Sequence, residues 1–392
     1  MIKTYSSNTG SGLIICSGNT RSHAQSGFTL IELMISLALG LVIAAAATML
    51  FLTGQKSYVL HVGMSDLQDN ANFGLNYIAK DIRLTNLNVV KADINDETQY
   101  GGIVLTSSVN ATKDNTDTPA KPLSNLFRTI VSGSANVNLL SRSQGMTASS
   151  APAWSGASNV QLNTGDALLS DQLTIQYRPQ YILDNKDTAA TTDDEWIGGY
   201  DCEGRELKFK VEKESPTSTK PFGQQVIVQR YFLRADANAA KNEPNSPLAL
   251  ACEAGFYATT DTPVVTAIQG GAPSSPLGTR VFGTTSGEII MKRVDHFRVL
   301  LGVQNNNSYR YISINNYMAI AAGSRPRILS VQIGALVRSG QSVSRDEVIA
   351  NDQSFQVLDQ LVKVKTPTQN SPKYVRQVVS QTIALRNTFG ER

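Results

Sequence analysis

Ser26-Gly27-Phe28-Thr29-Leu30-Ile31-Glu32-Leu33-Met34 opens the stretch that decides the fold, and Leu33–Leu52 (LMISLALGLVIAAAATMLFL) completes it. The second part is 20 residues without a charge or a proline. At ~1.5 Å per residue a helix of that length spans about 30 Å, the thickness of a bilayer core. A buried core helix has the same composition, but an uncharged run of this length near the N-terminus reads first as a membrane span. Ahead of it, residues 1–27 hold Lys3 and Arg21 and no acidic residue. Positive charge before an apolar run keeps that end in the cytoplasm, so the bulk of the chain is expected on the far side. An ordinary secretory signal would place a small-residue cleavage site after the run. Here the run continues past Ala44–Ala47 through Met49-Leu50-Phe51-Leu52.

Glu32 is the only charge between Phe28 and Leu52. A carboxylate in hydrocarbon costs about a few kcal/mol even on lenient scales. Thr29-x-x-Glu32 fits a capping box at a helix start, and an acid in the first turn suits the helix dipole. Past Gly54 the apolar period changes rather than stops. Leu67, Ala71, Leu75, Ile78 and Ile82 recur at i+3/i+4 spacing with Asp66, Asp69, Lys80 and Arg83 between them, which makes one amphipathic face. No proline occurs before Pro119. The pattern therefore predicts one helix from Phe28 to about Leu84, roughly 85 Å long. Gly54, Gly63 and Gly74 are expected to be its soft points, each costing ~1 kcal/mol relative to Ala.

From residue 88 to 392 the sequence reads as β-structure. Glu206–Glu212 alternates, with Leu207, Phe209 and Val211 on one side and Lys208 and Lys210 on the other. Leu173/Ile175/Tyr177, Phe297/Val299/Leu301/Val303, Val331/Ile333/Ala335/Val337 and Val375/Val379/Ile383/Leu385 continue the β pattern. With Val226–Leu233 they predict six or more strands in an antiparallel sheet over the C-terminal half of the helix, an α+β fold. Residues 106–122, 143–166, 184–195, 236–247 and 258–280 are poor in apolar side chains and read as loops. The whole chain balances 35 Lys+Arg against 32 Asp+Glu. That balance argues against direct nucleic-acid binding, which needs clustered cations to neutralise phosphate.

Gly27-Phe28-Thr29-Leu30-Ile31-Glu32 resembles the processing site of type IV prepilins and of type II secretion pseudopilins. The resemblance implies cleavage of the Gly27–Phe28 bond by a prepilin peptidase and N-methylation of Phe28. It implies an assembly role for Glu32, whose carboxylate would meet the N-terminal ammonium of a neighbouring subunit. The leader, 1–27, is longer than the short basic leaders usual in that family, and its Leu13-Ile14-Ile15-Cys16 has no assigned part. Further patterns are similar to the PilW minor-pilin family: Ser170-Asp171-Gln172-Leu173-Thr174-Ile175, Asp201-Cys202-Glu203-Gly204, Val294-Asp295-His296-Phe297 with Gly302-Val303, Ala335-Leu336-Val337-Arg338-Ser339 and Ala384-Leu385-Arg386-Asn387. The organisation implied is a cleaved leader over 1–27, a transmembrane and filament-core helix over 28–53, an amphipathic helical half over 54–87 and a periplasmic head over 88–392. Once the leader is removed, Cys202 and Cys252 are the remaining thiols, and in an oxidising periplasm they read as one disulfide worth about 4 kcal/mol. A catalytic or metal-ligating cysteine is the alternative, but neither lies in a Cys-x-x-Cys.

Little else in the sequence carries chemistry. His61 falls on the helix beyond the membrane span, and His296 is expected to be a solvated strand residue on the Arg298 side. No Gly-x-Ser-x-Gly, phosphate loop or zinc motif occurs. Asp114-Asn115-Thr116-Asp117 and Asp184-Asn185-Lys186-Asp187 carry oxygen ligands, but lack the Gly and terminal Glu of a calcium loop; turn chemistry explains them better. Asp193-Asp194-Glu195 beside Trp196 reads as a solvated loop. No cofactor, metal or enzyme activity is expected. The leading function is structural, a minor pilin held in the inner membrane and incorporated at or near the pilus tip. Its implied partners are other minor pilins, the major pilin, the assembly platform and a large tip adhesin. Its implied processes are priming of assembly, adhesion, twitching motility and DNA uptake. The rivals are a minor pseudopilin of type II secretion, a tip adhesin whose loops bind a receptor, and a tethered periplasmic enzyme.

Overall fold

The computed structural model describes residues 27–107, 112–114, 121–123, 125–126, 134–184, 186–187, 195–210, 225–238, 243, 245–258, 269–270, 280–283, 285–305, 307–343, 349–350, 353–365 and 372–388. Two compact units divide between Gln55 and Lys56, and the first helix, Leu30–Ile82, contains that boundary. In the first unit every described residue is exposed. Leader residues 1–26, Val211 and Glu212, Asn115–Asp117, Asn185 and Asp193–Asp194 lie outside the described residues.

In the second unit the helix buries Gly63, Leu67, Ala71, Gly74, Leu75, Ile78, Ala79, Asp81 and Ile82. This is the face set by the apolar period, widened by two glycines. Gly63 and Gly74 are contact points rather than soft points. A Cβ on Gly74 would stand 2.5 Å from Met291 Cε and 2.9 Å from Met291 Cβ, and one on Gly63 would stand 2.9 Å from Val343 Cγ1. Asn70 fixes the register of the helix against the strand Glu288–Lys292. Its amide nitrogen donates to the Lys292 carbonyl at 2.8 Å, and its amide oxygen accepts from the Lys292 N–H at 3.1 Å. The helix then ends in tight turns, with Asn86 at φ 64° and Asn88 at φ 56°, conformations that asparagine tolerates better than most residues. Asn387, near the far end of the chain, donates to the freed carbonyls of Arg83 and Thr85 at 3.2 and 3.0 Å.

Two larger sheets meet the helix. One orders Gly102–Ile103, Leu173–Tyr177, Gln225–Ala235 and Leu248–Ala258 side by side, and Leu248–Ala258 also pairs with Glu288–Lys292. The other orders Ser308–Ser313, Val294–Asn305, Arg327–Arg338 and Arg376–Ala384. All pairings between these strands are antiparallel. Leu67, Ala71 and Ile78 from the helix share one buried cluster with Leu173, Ile175, Tyr231 and Leu250 of the first sheet and Phe297, Val299, Ile333 and Ile383 of the second. Each fully buried aliphatic or phenyl side chain contributes about 1.5–3 kcal/mol. The α+β reading therefore stands, with the helix and both sheets in one core.

Two smaller three-stranded sheets, Val160–Leu162 with Gln360–Val364 and Ser354–Val357, and Ile182–Asp184 with Glu195–Tyr200 and Glu206–Lys210, accompany a two-stranded one of Thr112–Asp114 and Lys121–Leu123. Some expected loops hold structure. The 143–166 stretch contains Val160–Leu162 and the buried Trp154, whose indole donates to the Ser170 carbonyl at 2.8 Å. Glu195 and Trp196 begin a strand instead of lying in a loop. The expected turn at Asp184 does form, with its carboxylate accepting from the Lys186 N–H at 3.0 Å. Leu248–Ala258 (LALACEAGFYA) lacks the alternation that marks the other strands. It is buried on both faces at its centre, so alanine and glycine replace the polar side.

Candidate functional site in the N-terminal helix and the buried polar frame of the head

The helix start is built by Thr29 and Glu32. Glu32 Oε2 accepts from the Thr29 N–H at 3.0 Å and from the Thr29 hydroxyl at 2.9 Å, while the Glu32 N–H donates to Thr29 Oγ1 at 3.3 Å. The box satisfies N-terminal donors reciprocally. Both bonds to the carboxylate fall on Oε2. Gly27 and Phe28 lie just ahead, outside the helix, with Phe28 89% exposed. Further along, the hydroxyls of Ser36, Thr48 and Thr53 donate back to the carbonyls of Leu33, Ala44 and Met49 at 3.0, 2.8 and 2.9 Å. Their polarity is thereby consumed within the helix. What remains is a bare apolar surface with one carboxylate, and Leu30–Ile82 is the one helix among the described residues long and apolar enough to cross a membrane.

The head holds its charges inside. Asp171 accepts from the N–H groups of Val299 and Gln144 at 2.8 and 3.3 Å and faces Arg298 at 3.1 Å. Burial pushes the Asp171 carboxyl up, to about 7, against the pull of Arg298 and the backbone N–H groups. Arg298 also forks onto Asp359 at 2.8 and 2.7 Å. Asp295 joins Arg376 at 2.8 Å and Asn159 at 2.8 Å, and Arg338 bonds Glu243 while lying against the Tyr374 ring. On the first sheet Arg230 pairs with Glu253 and stacks on Phe232. Losing one partner of such a buried pair typically costs ~3–5 kcal/mol, so these groups bind the strands into one arrangement.

His296 corrects the sequence expectation. It lies on the Arg298 side as expected, yet is fully buried rather than solvated, because residues 294–303 are covered on both faces and Asp359 and Gln360 lie over this second one. Its Nδ1 faces the Ser170 hydroxyl at 3.2 Å and its Nε2 faces Gln360 Oε1 at 3.2 Å. Burial lowers it to about 4, so it is neutral at ordinary pH. Ser170 and His296 have the residue types of a nucleophile and base, but at 1% and 0% exposure no substrate reaches them. His61 is exposed on the helix. Among the described residues no cluster of His, Cys, Asp and Glu could hold a metal.

Cys202 and Cys252 form a disulfide with Cα atoms 6.1 Å apart. Cys202 sits in a turn that Asp201 closes by accepting from the N–H groups of Glu203 and Arg205 at 3.0 and 2.8 Å. Tyr77 of the helix donates to the Cys202 carbonyl at 3.1 Å. The bridge thus ties the Ile182–Lys210 sheet to the central strand Leu248–Ala258 where the helix crosses. The quoted sequence patterns supply Asp171, Asp295, His296, Arg338 and Asn387 to the buried frame. Their partners Arg298, Asp359, Glu243 and Arg376, like the Asn70 clamp, carried no sequence signal: each sits far along the chain.

Residues 22–48 match the prokaryotic N-terminal methylation motif, and residues 275–387 match the family described as Type IV Pilus-assembly protein W. These two matches support a PilW-family type IV pilin with a prepilin motif. The PilW match spans the whole second sheet, including Asp295, Arg298, Arg338 and Arg376. A type IV-like pilin from Thermus thermophilus is also similar, at 10% identity over 54% of this chain and 84% of its own. Its TM-score of 0.20 is too low for that likeness to carry an argument. No curated protein matches the chain.

Proposed function

We propose that this PilW-family pilin is a minor pilin of a type IV pilus, anchored in the inner membrane with its head in the periplasm until it enters the filament. The prepilin peptidase cuts at Gly27–Phe28 and the new Phe28 amine is methylated. Residues 28–53 then form the membrane and filament-core segment, 54–87 the amphipathic half of the helix, and 88–392 the head. The observation that carries this reading is the helix surface from Phe28 to Leu52, wholly exposed and apolar except for Glu32. Such a surface needs lipid or sister helices around it, since water would leave its twenty apolar side chains unburied. The Glu32 carboxylate, whose bonds to Thr29 use Oε2, keeps Oε1 to accept the Phe28 ammonium of a neighbouring subunit. Two charges that are each costly in lipid become a matched pair, and that favours one axial register.

On this reading the subunit sits at or near the pilus tip and primes assembly with other minor pilins, the major pilin, the assembly platform and a large tip adhesin. The reading is tested by mass spectrometry of sheared pili. The expected species is a mature peptide that begins at methylated Phe28. Pili that lack the chain, with the uncut protein left in the membrane fraction, would remove the reading.

A further inference from the structure

The strand Ser308–Ser313 closes one side of the four-stranded sheet, with Val294–Asn305 as its only neighbour among the described strands. Ser308, Tyr309, Arg310 and Tyr311 are all exposed, so this stretch is covered on neither face. Free strand edges are normally blunted or covered, because their unpaired N–H and C=O groups accept another strand. Here the bulky side chains are drawn away from the edge. Tyr309 lies opposite Gln304 and its hydroxyl accepts from Gln304 Nε2 at 3.1 Å. Tyr311 lies opposite Gly302, where a Cβ would stand 2.9 Å from its ring, and its hydroxyl accepts from the Ser330 hydroxyl at 3.3 Å. Both rings therefore lie back across the sheet and leave the backbone edge open.

Between the tyrosines stands Arg310, exposed and with no ion pair or hydrogen bond to its guanidinium among the described residues. The opposite edge strand, Arg376–Ala384 (RQVVSQTIA), has no carboxylate and carries its own arginine. Pairing two copies of this chain, through either edge, thus offers Arg310 no counter-charge. We infer that the open edge of Ser308–Ser313 receives an extended strand of a second, different polypeptide that presents Asp or Glu opposite Arg310. Main-chain bonds along the edge supply the affinity, and the carboxylate and the tyrosine faces select the sequence.

The test uses the full chain in detergent micelles and a phage-displayed library of random linear peptides. Selected peptides are expected to carry an acidic residue within a β-branched run, and to slow amide hydrogen exchange over 308–313 when bound. Arg310→Glu is expected to weaken their binding about tenfold or more, and exchanging the peptide's acid for lysine to restore it. Arg310→Gln gives an intermediate loss and serves if the reversed charge disturbs folding. Peptides whose binding ignores both variants, a library that yields no binder, or self-association of the chain that the variants abolish would each overturn the inference. None of these measurements requires a pilus, so failure here leaves the assembly reading intact.

Discussion

Replacing Gly74 by alanine sets two effects of opposite sign against each other. Alanine is the better helix former by ~1 kcal/mol, and at an exposed site that gain would be realised. At Gly74 the new methyl would sit 2.5 Å from Met291 Cε, 2.9 Å from its Cβ and 3.2 Å from its Cγ. The Met291 tip can swing away, but its Cβ is fixed to the strand Glu288–Lys292, and Asn70 one turn earlier clamps that strand to the helix. Overpacking of this kind costs ~1–3 kcal/mol, so after the ~1 kcal/mol helix gain the net expectation is a loss of up to about 2 kcal/mol. Gly54→Ala provides the contrast, since nothing lies within 4 Å of that position. Chemical denaturation of the full chain in detergent, followed by circular dichroism and tryptophan fluorescence, should show a lowered midpoint for Gly74→Ala and none for Gly54→Ala. Combining Gly74→Ala with Met291→Ala should recover at least 1 kcal/mol relative to the sum of the single changes. If Gly74→Ala proves as stable as the parent and shows no coupling to Met291, the close approach of helix and strand is wrong.

Burial pushes the Asp81 carboxyl up to about 6, although Tyr231 donates to it at 2.8 Å and pulls the other way. An acid raised above its unfolded value of ~3.9 adds stability that is fully present below that value and is lost as pH rises through 6. The difference is worth about 3 kcal/mol. Asp81→Asn, which keeps an acceptor for Tyr231, should therefore raise the unfolding midpoint at pH 7.5 and flatten its dependence between pH 4 and 6. Cys202→Ser/Cys252→Ser should destabilise the head by up to about 4 kcal/mol, given a sequence separation of 50; an unchanged denaturant midpoint under oxidising conditions would contradict this. Glu32→Ala should leave cleavage at Gly27 intact, as judged by electrophoretic mobility, while sharply reducing the chain recovered in sheared pili. Equal recovery would deny Glu32 its part in assembly.

What could be read from the sequence was local. Twenty uncharged residues after Gly-Phe-Thr-Leu-Ile-Glu fix a helix, its apolar surface and the capping box at its start, because each depends on neighbours within one or two turns. The amphipathic face from Leu67 to Ile82 and the strands with clear alternation, such as Leu173–Tyr177 and Arg327–Arg338, follow from the same short-range periodicity. Leu248–Ala258 escaped because a strand buried on both faces has no alternation to show. His296 was read as solvated because alternation says which side of a strand a residue faces, and not that the second side is covered too, here by Asp359 and Gln360. Gly63 and Gly74 look like Gly54 in sequence, yet only contact with Met291 and Val343 gives them a steric role. The pairings of Asp171 with Arg298, Asp295 with Arg376 and Asn387 with the end of the helix join residues 81 to 304 positions apart. Tertiary structure alone decided these, because a buried charge takes whichever partner the fold brings within hydrogen-bond distance, and chain distance has no bearing on that choice.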